Sequence, residues 1–116
     1  MNAANLIKSS ASGGATADNT VIYTSGEIWA YNCHYIENTS ATDPCDVYVS
    51  FDGTNYCAAA VAAEKLNDVT TGGGVKVITI PKGTIGRIVG RFVKLKVLKD
   101  GATVETPSIR YMHCNI

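Results

Sequence analysis

The sequence predicts an all-β fold: a single-domain β-sandwich or jelly roll of about seven or eight strands, with an extended N-terminal arm. Segments rich in β-branched and aromatic residues recur along the chain. Turn residues separate them roughly every eight to fifteen positions. The length of 116 residues fits one domain, which can bury roughly two thirds of its unfolded surface without metal or disulfide help. We assign residues 1–18 to a flexible arm and residues 19–116 to the sandwich.

The arm is predicted from its composition. Residues 9–16 are small and polar, with nothing to anchor a core. The apolar Leu6 and Ile7 before them suit an arm that docks on a neighbouring subunit, and they suit a frayed terminus equally well.

The first strands follow the arm. Residues 20–24 are β-branched and aromatic, and Ser25-Gly26 predicts a turn. Residues 27–38 are predicted as one long strand with Trp29 and Tyr31 on one face and Ile28 and Ile36 on the other. Because both faces are partly apolar, we expect this strand to be central or covered on both sides.

A hairpin is predicted next. Residues 46–51 alternate, and Asp52-Gly53 favours a two-residue type I′ turn before a return strand from 54 to about 61. Tyr48 would then pair with Cys57, and Cys45 would face the other side, so those two cysteines would not bridge. The alanines at 58–60 could instead begin a short helix reaching residue 66.

The last third repeats the pattern. A Gly-rich loop at 70–74 leads into a strand over 75–80. Residues 84–98 form a second long β segment, in which Gly86 and Gly90 suggest a bulge or bend. Residues 99–102 predict a turn, and Val104 and residues 109–116 supply the final strands.

Charge argues against polyanionic partners. The ten basic and ten acidic residues cancel, so no overall field attracts nucleic acid or an anionic membrane. One stretch is locally basic without interleaved aromatic residues, which suits a strand edge protected from aggregation. This stretch contains Lys82, Arg87, Arg91, Lys94, Lys96 and Lys99.

We also expect no membrane partner. Residues 1–8 do not resemble a secretion signal, and no apolar stretch approaches the roughly 20 residues of a membrane helix. We therefore expect synthesis in a reducing cytoplasm with free thiols at the four cysteines. In that compartment the glycosylation triplet Asn38-Thr39-Ser40 has no consequence.

Zinc is considered because of two dipeptides, Cys33-His34 and His113-Cys114. Neighbours on a strand point to opposite faces, so each dipeptide gives one ligand to a site and the four required are not reached. The sequence predicts no metal-binding residue and no cofactor.

No catalytic residue is predicted either. A Cys33 and His113 pair requires their strands to be adjacent, and it lacks a third orienting group. The acid pairs Asp43 with Asp46 and Glu64 with Asp68 fit turns and solvated surface. The glycines at 72–74 lack P-loop spacing. We expect a protein that is not an enzyme.

Aromatic residues offer one binding hypothesis. They could form a sugar-binding platform, although core and interface positions account for them better. The set is Trp29, Tyr23, Tyr31, Tyr35 and Tyr48.

The segment Val47-Tyr48-Val49-Ser50-Phe51-Asp52-Gly53-Thr54-Asn55-Tyr56 resembles small β-sandwich structural proteins of tailed bacteriophages. Residues 80–83 and 91–96 add to the resemblance. It implies a capsid decoration (cement) protein, often trimeric, on the major capsid protein. A similar strand-Asp-Gly-strand sequence pattern occurs in discoidin-like jelly rolls, which often bind carbohydrate or lipid. No functional residue is carried over from either family.

We therefore expect a non-enzymatic virion structural protein, made in the host cytoplasm and located in the virion. Its partners would be itself, as a homo-oligomer with a trimer favoured, and the major capsid protein or other virion proteins. Two alternatives remain: a carbohydrate-binding host-recognition module, and a tail or head-tail connector component.

Overall fold

The computed structural model describes residues 7–11, 14–57 and 78–116, without the side chain of Cys57. The predicted helical turns at 58–66, the acids Glu64 and Asp68, the loop at 70–74 and the start of the strand predicted at 75–80 lie outside this range. The strands are β1 (Ile7–Ser10), β2 (Val21–Thr24), β3 (Cys33–Asn38), β4 (Cys45–Ser50), β5 (Tyr56–Cys57), β6 (Ile78–Ile80), β7 (Ile85–Val89), β8 (Lys94–Lys99) and β9 (Ser108–Cys114).

Two antiparallel sheets form the domain, which confirms the prediction of an all-β sandwich. The first sheet has the order β1-β9-β3-β7. The second has the order β2-β8-β4-β5, with β6 also pairing with β4. Within the described ranges, no helix is long and apolar enough to cross a membrane.

The core lies between the sheets because alternate side chains of each strand point inward. In the second sheet, Val47 pairs with Val97 and Val49 pairs with Leu95, and all four are fully buried. Ile36 of β3 and other buried apolar residues cover them from the first sheet. The period-two pattern that predicted these strands is therefore the pattern that builds the core.

Part of the predicted arm belongs to the sandwich. Ile7–Ser10 forms edge strand β1, which pairs with β9 from Ile7 opposite Tyr111 to Ser10 opposite Ser108. The Ser9 hydroxyl also donates to the carbonyl oxygen of Ile22 at 3.1 Å. Residues 1–6 and 12–13 of the arm lie outside the described range.

The single strand predicted over residues 27–38 is wrong, because only Cys33–Asn38 is a strand. β2 belongs to the second sheet and β3 to the first, so the chain must cross the sandwich between them. Ile28 fills the core in this crossing, and its amide donates to the carbonyl of Val93 at 2.7 Å. The prediction failed because an apolar residue in a crossover resembles one in a strand.

The hairpin after β4 has a longer loop than the predicted two residues. Val49 pairs with Cys57 and Ser50 with Tyr56, which leaves residues 51–55 as the loop. The Asp52 carboxylate stabilises this loop by accepting the amides of Thr54 at 2.8 Å and Asn55 at 2.7 Å.

The shifted register also changes the predicted positions of Cys45 and Cys57, which remain too far apart to form a disulfide. Cys57 lies opposite Val49, whereas Cys45 lies opposite Ile80 at the other end of β4. Their backbones are therefore separated along the strand.

The second long segment, predicted over residues 84–98, divides into β7 and β8 in different sheets. Gly86 pairs with Ile36 without a register shift, so it does not mark a bulge. It leaves room for Ile80, because a Cβ at Gly86 would lie 2.7 Å from Ile80 Cδ1. Gly90, at φ 150°, follows the last residue of β7.

Candidate interaction surface

The two ends of the sandwich differ in chemistry. Four connecting segments, 25–32, 51–55, 90–93 and 115–116, meet at the end that holds the first residue of β3 and the last residue of β4. We call this the aromatic end. The opposite end carries residues 100–107 and the last residue of β3, and we call it the polar end.

Backbone hydrogen bonds fix the segments of the aromatic end to one another. Val93 receives the Ile28 amide at 2.7 Å and donates its own amide to Ser50 at 2.9 Å. Gly90 donates to the Asn32 carbonyl at 2.8 Å, and the Asn32 side chain accepts the amide of Ile116 at 2.9 Å. The segments thus form one connected structure.

Large apolar side chains at this end face solvent. Trp29 is 62% exposed. Its loop is held by Arg91, whose Nη1 donates to the carbonyls of Trp29 at 3.2 Å and Ala30 at 2.8 Å. Exposed apolar side chains presented by an ordered loop are typical of protein or ligand contacts. The other exposed apolar residues here are Tyr31, Phe51, Val89 and Ile116.

Beneath this surface a chain of hydrogen bonds crosses the sandwich. Tyr23 Oη lies 2.9 Å from His113 Nε2, and His113 Nδ1 lies 2.9 Å from His34 Nδ1. His34 Nε2 lies 2.9 Å from the carbonyl oxygen of Gly90. The chain links β2 of the second sheet to β3 and β9 of the first and ends in the loop after β7.

The acceptor at one end fixes every proton in the neutral chain. A carbonyl only accepts, so His34 donates from Nε2 and accepts at Nδ1. His113 must then donate from Nδ1 and accept at Nε2, where the Tyr23 hydroxyl donates. All three bonds run in one direction, which uses each ring nitrogen once.

Burial keeps this chain neutral. It lowers the pKa of His34 and, with the neighbouring His34 ring, lowers the pKa of His113 to about 4. Burial and the adjacent Tyr111 phenol raise the pKa of Tyr23. These shifts keep both imidazole rings neutral and the phenol protonated at neutral pH, and the hydrogen bonds connect the two sheets to the loop after β7.

The polar end is organised around a buried lysine. Lys99 is fully buried, and its ammonium lies 3.4 Å from Asp43 Oδ2. It also donates to the carbonyl oxygens of Ala15, at 2.9 Å, and Thr103. The hydroxyl and amide of Thr103, together with Lys99, lower the pKa of Asp43. This cluster satisfies a buried charge and joins residues 15, 43 and 103.

The two dipeptides considered for zinc lie opposite each other. Cys33 pairs with Cys114 and His34 with His113, so the histidines share the inner face and the cysteines the outer face. A Cys33 and His113 pair is therefore not formed. Among the described residues, no group of three or more His, Cys, Asp or Glu side chains could hold a metal ion.

The sequence predicted that Asp43 and Asp46 are solvated turn residues, and this prediction is wrong. Asp43 is buried against Lys99, and Asp46 lies in β4, where its carboxylate accepts the Thr79 hydroxyl at 2.7 Å. Asn38 of the glycosylation triplet is fully buried, and its amide donates to the carbonyls of Asp43 and Ile80.

The aromatic residues do not form one platform. Tyr23 stacks on Tyr111 between the sheets, with ring centroids 4.0 Å apart. Tyr48 lies near Lys96 on the second sheet, whereas Trp29 and Tyr31 lie on a loop. Only this last pair is presented at the aromatic end.

The basic stretch is also dispersed. Lys99 is buried, Arg87 lies on edge strand β7, and Arg91 holds the Trp29 loop. Lys96 lies on β8 in the other sheet, 4.5 Å from the centroid of the Tyr56 ring.

Sequence reasoning missed the histidine pair and the buried lysine. The order of the two dipeptides, Cys-His and then His-Cys, offered a signal for the first. Antiparallel pairing can place two such reversed dipeptides opposite each other, so that cysteine pairs with cysteine and histidine with histidine. Lys99 has the same parity as the inward-facing Leu95 and Val97, so alternation placed it on the inner face, but its charge favoured a surface position.

Comparison with protein-family models, curated proteins and solved structures found no match to this chain.

Proposed function

We propose that the chain is a non-enzymatic virion structural protein, a capsid decoration protein that binds the major capsid protein through its aromatic end. The observation that carries the proposal is the exposed apolar set around Trp29, held on hydrogen-bonded loops. A surface of this kind loses little conformational freedom on binding, which favours affinity. The resemblance of residues 47–56 to phage structural proteins supports the choice of partner.

The proposed mechanism is passive. The sandwich buries its aromatic end against capsid subunits, in an interface on the order of 1,600 Å². Copies of the chain associate as a trimer, so several sites engage one particle and avidity multiplies a modest affinity.

The N-terminal segment provides a second contact in this proposal, with residues 1–6 reaching a neighbouring subunit. A truncation that tests this idea must stop at residue 6. Residues 7–10 are β1, and Lys99 binds the carbonyl of Ala15, so removal of 1–18 would damage the sandwich.

The first test is the native mass of the reduced protein, measured by light scattering after size exclusion. A trimer supports the proposal, and a higher ring would favour the tail or head-tail connector alternative. A monomer that also fails to bind heads would contradict both.

Binding is tested by cosedimentation with isolated heads of the phage that encodes the chain. We expect Trp29→Ala to reduce occupancy at least about tenfold, as for an interface aromatic anchor. Val104→Ala is the matched control, because Val104 is also exposed but lies at the polar end. Equal binding of both variants would contradict a role for the aromatic end.

A carbohydrate-binding function is the second candidate, and the exposure of Trp29 favours it. Sugar rings stack on exposed aromatic faces, and Tyr31 lies two residues away on the same loop. A glycan array with wild type and Trp29→Ala tests this function. Binding that disappears with the indole supports it, and an array without hits eliminates it for the sugars present.

A further inference from the structure

A pair of thiols lies across two adjacent strands. Cys33 on β3 and Cys114 on β9 are direct partners in the antiparallel register. Such partners have Cα atoms about 4.5–5.5 Å apart, within the roughly 4.4–6.8 Å that a disulfide spans. Both cysteines are free thiols.

We propose that Cys33 and Cys114 form an intramolecular disulfide when the folded protein meets a small-molecule disulfide such as oxidised glutathione. The Cys114 thiolate attacks one glutathione sulfur, forms a mixed disulfide and releases one glutathione thiolate. Cys33 then displaces the second glutathione and closes the bridge. The protein loses two thiol protons and two electrons, and the glutathione disulfide gains them as two thiols.

Exposure assigns this order. Cys33 is fully buried, whereas Cys114 is partly exposed near the chain terminus. Cys114 is therefore the thiol that an external disulfide reaches, and Cys33 is the resolving thiol behind it. Burial and the neighbouring Cys33 raise the pKa of Cys114, so exchange should be slow at neutral pH and faster at alkaline pH.

Cys45 is a poor competitor for this reaction. It is fully buried opposite Lys99 and Ile80, at the polar end of β4, and burial raises the pKa of its thiol to about 12. It does not pair with either cysteine of the β3–β9 ladder. Among the three cysteines whose side chains the structure describes, the register thus selects one pair.

The bridge would stabilise most of the domain. It joins two residues that are 81 positions apart in the chain, and the loop it closes contains β4 to β8. A cross-link over so long a loop strongly restricts the unfolded chain. It also fixes both strands next to Asn32, whose side chain binds the terminal Ile116 at the aromatic end. Oxidation after release from a reducing cytoplasm would therefore stiffen that end.

Peptide mapping of the full chain tests the proposal. The native protein is incubated at pH 8 with oxidised glutathione, alkylated, digested and analysed by mass spectrometry. We expect a linked pair of peptides containing Cys33 and Cys114 in wild type and in the Cys57→Ser control, and its loss in Cys114→Ser. A linkage from Cys33 to Cys45 or Cys57, or fully alkylated Cys33 and Cys114 after prolonged incubation, would overturn the proposal.

Thermal unfolding provides a second readout. We expect the oxidised protein to melt at least about 5 °C above the reduced protein, with the gain removed by dithiothreitol. Cys114→Ser should show no gain under the same treatment. An unchanged Tm despite the linked peptide would overturn the stabilising role of the bridge. Neither readout involves particle binding, so failure here is distinguishable from failure of the proposed function.

Discussion

His34 and His113 face each other across β3 and β9 with their Nδ1 atoms 2.9 Å apart, and together they bridge the two sheets. One Nδ1 carries a proton and donates it to the other in a hydrogen bond, and burial lowers the pKa of both rings, which keeps the pair neutral at pH 7. In acid each imidazole ring binds a second proton. That proton would go to a ring nitrogen that already accepts a hydrogen bond in this arrangement.

This relationship predicts that acid weakens the fold before the carboxylates titrate. An unfolded histidine has a pKa near 6.5, whereas burial lowers the pKa of His113 to about 4. The free energy of unfolding is therefore highest above about pH 6.5 and falls as the pH is lowered from about 6.5 to about 4. In that range the unfolded chain binds a proton at this histidine and the folded chain does not.

We expect the free energy of unfolding in urea to fall by about 1–2 kcal/mol between pH 7 and pH 5, a value reduced for partial solvent screening. These are the only two histidines in the chain, so the double variant His34→Gln/His113→Gln serves as control. Its unfolding free energy should vary little over that range. A flat profile for wild type would contradict the neutral pair.

Removal of the Tyr23 hydroxyl should weaken the same chain from its other end. Tyr23→Phe leaves His113 Nε2 without the donor that lies 2.9 Å away. An unsatisfied, half-buried acceptor costs about 1 kcal/mol, to be measured by urea unfolding at pH 7. Tyr35→Phe on the outer face of the first sheet is the control, with an expected change below about 0.5 kcal/mol. Equal effects would show that the hydroxyl is not used.

Lys99 should behave as a core residue despite its charge. Lys99→Met retains the apolar stem but removes the donor shared by Asp43 and the carbonyls of Ala15 and Thr103. We expect a loss of about 2–3 kcal/mol in unfolding free energy. The exposed Lys82→Met should change it by less than about 0.5 kcal/mol. A harmless Lys99→Met would mean that the buried ammonium is dispensable.

Gly86 tests the space between the sheets. In Gly86→Ala the new methyl group would lie 2.7 Å from Ile80 Cδ1 and 2.8 Å from Ile78 Cδ1. Overpacking of this kind costs about 1–3 kcal/mol, which a shift in the urea midpoint would report. Gly26→Ala is the matched control, because a Cβ there meets nothing within 4 Å. A stabilised Gly86→Ala variant would contradict close packing of β6 on β7.

Local chemistry in the sequence determined the fold class and several strands. The strand predicted over residues 46–51 is confirmed as β4, whereas the single segment predicted over 84–98 divides into β7 and β8. The same alternation correctly placed Cys33 and His34 on opposite faces. Side-chain direction in a strand follows from the backbone of two neighbouring residues, so it can be predicted without knowing the rest of the chain.

Only the tertiary structure decided which distant segments meet. His34 and His113 are 79 residues apart, yet they share one hydrogen bond because β9 pairs with β3. The same pairing brings Cys33 to Cys114, places Ile7–Ser10 at a sheet edge and leaves Trp29 on an exposed crossover. Strand order depends on the burial and loop closure of the whole chain, whereas alternation depends on neighbouring residues alone.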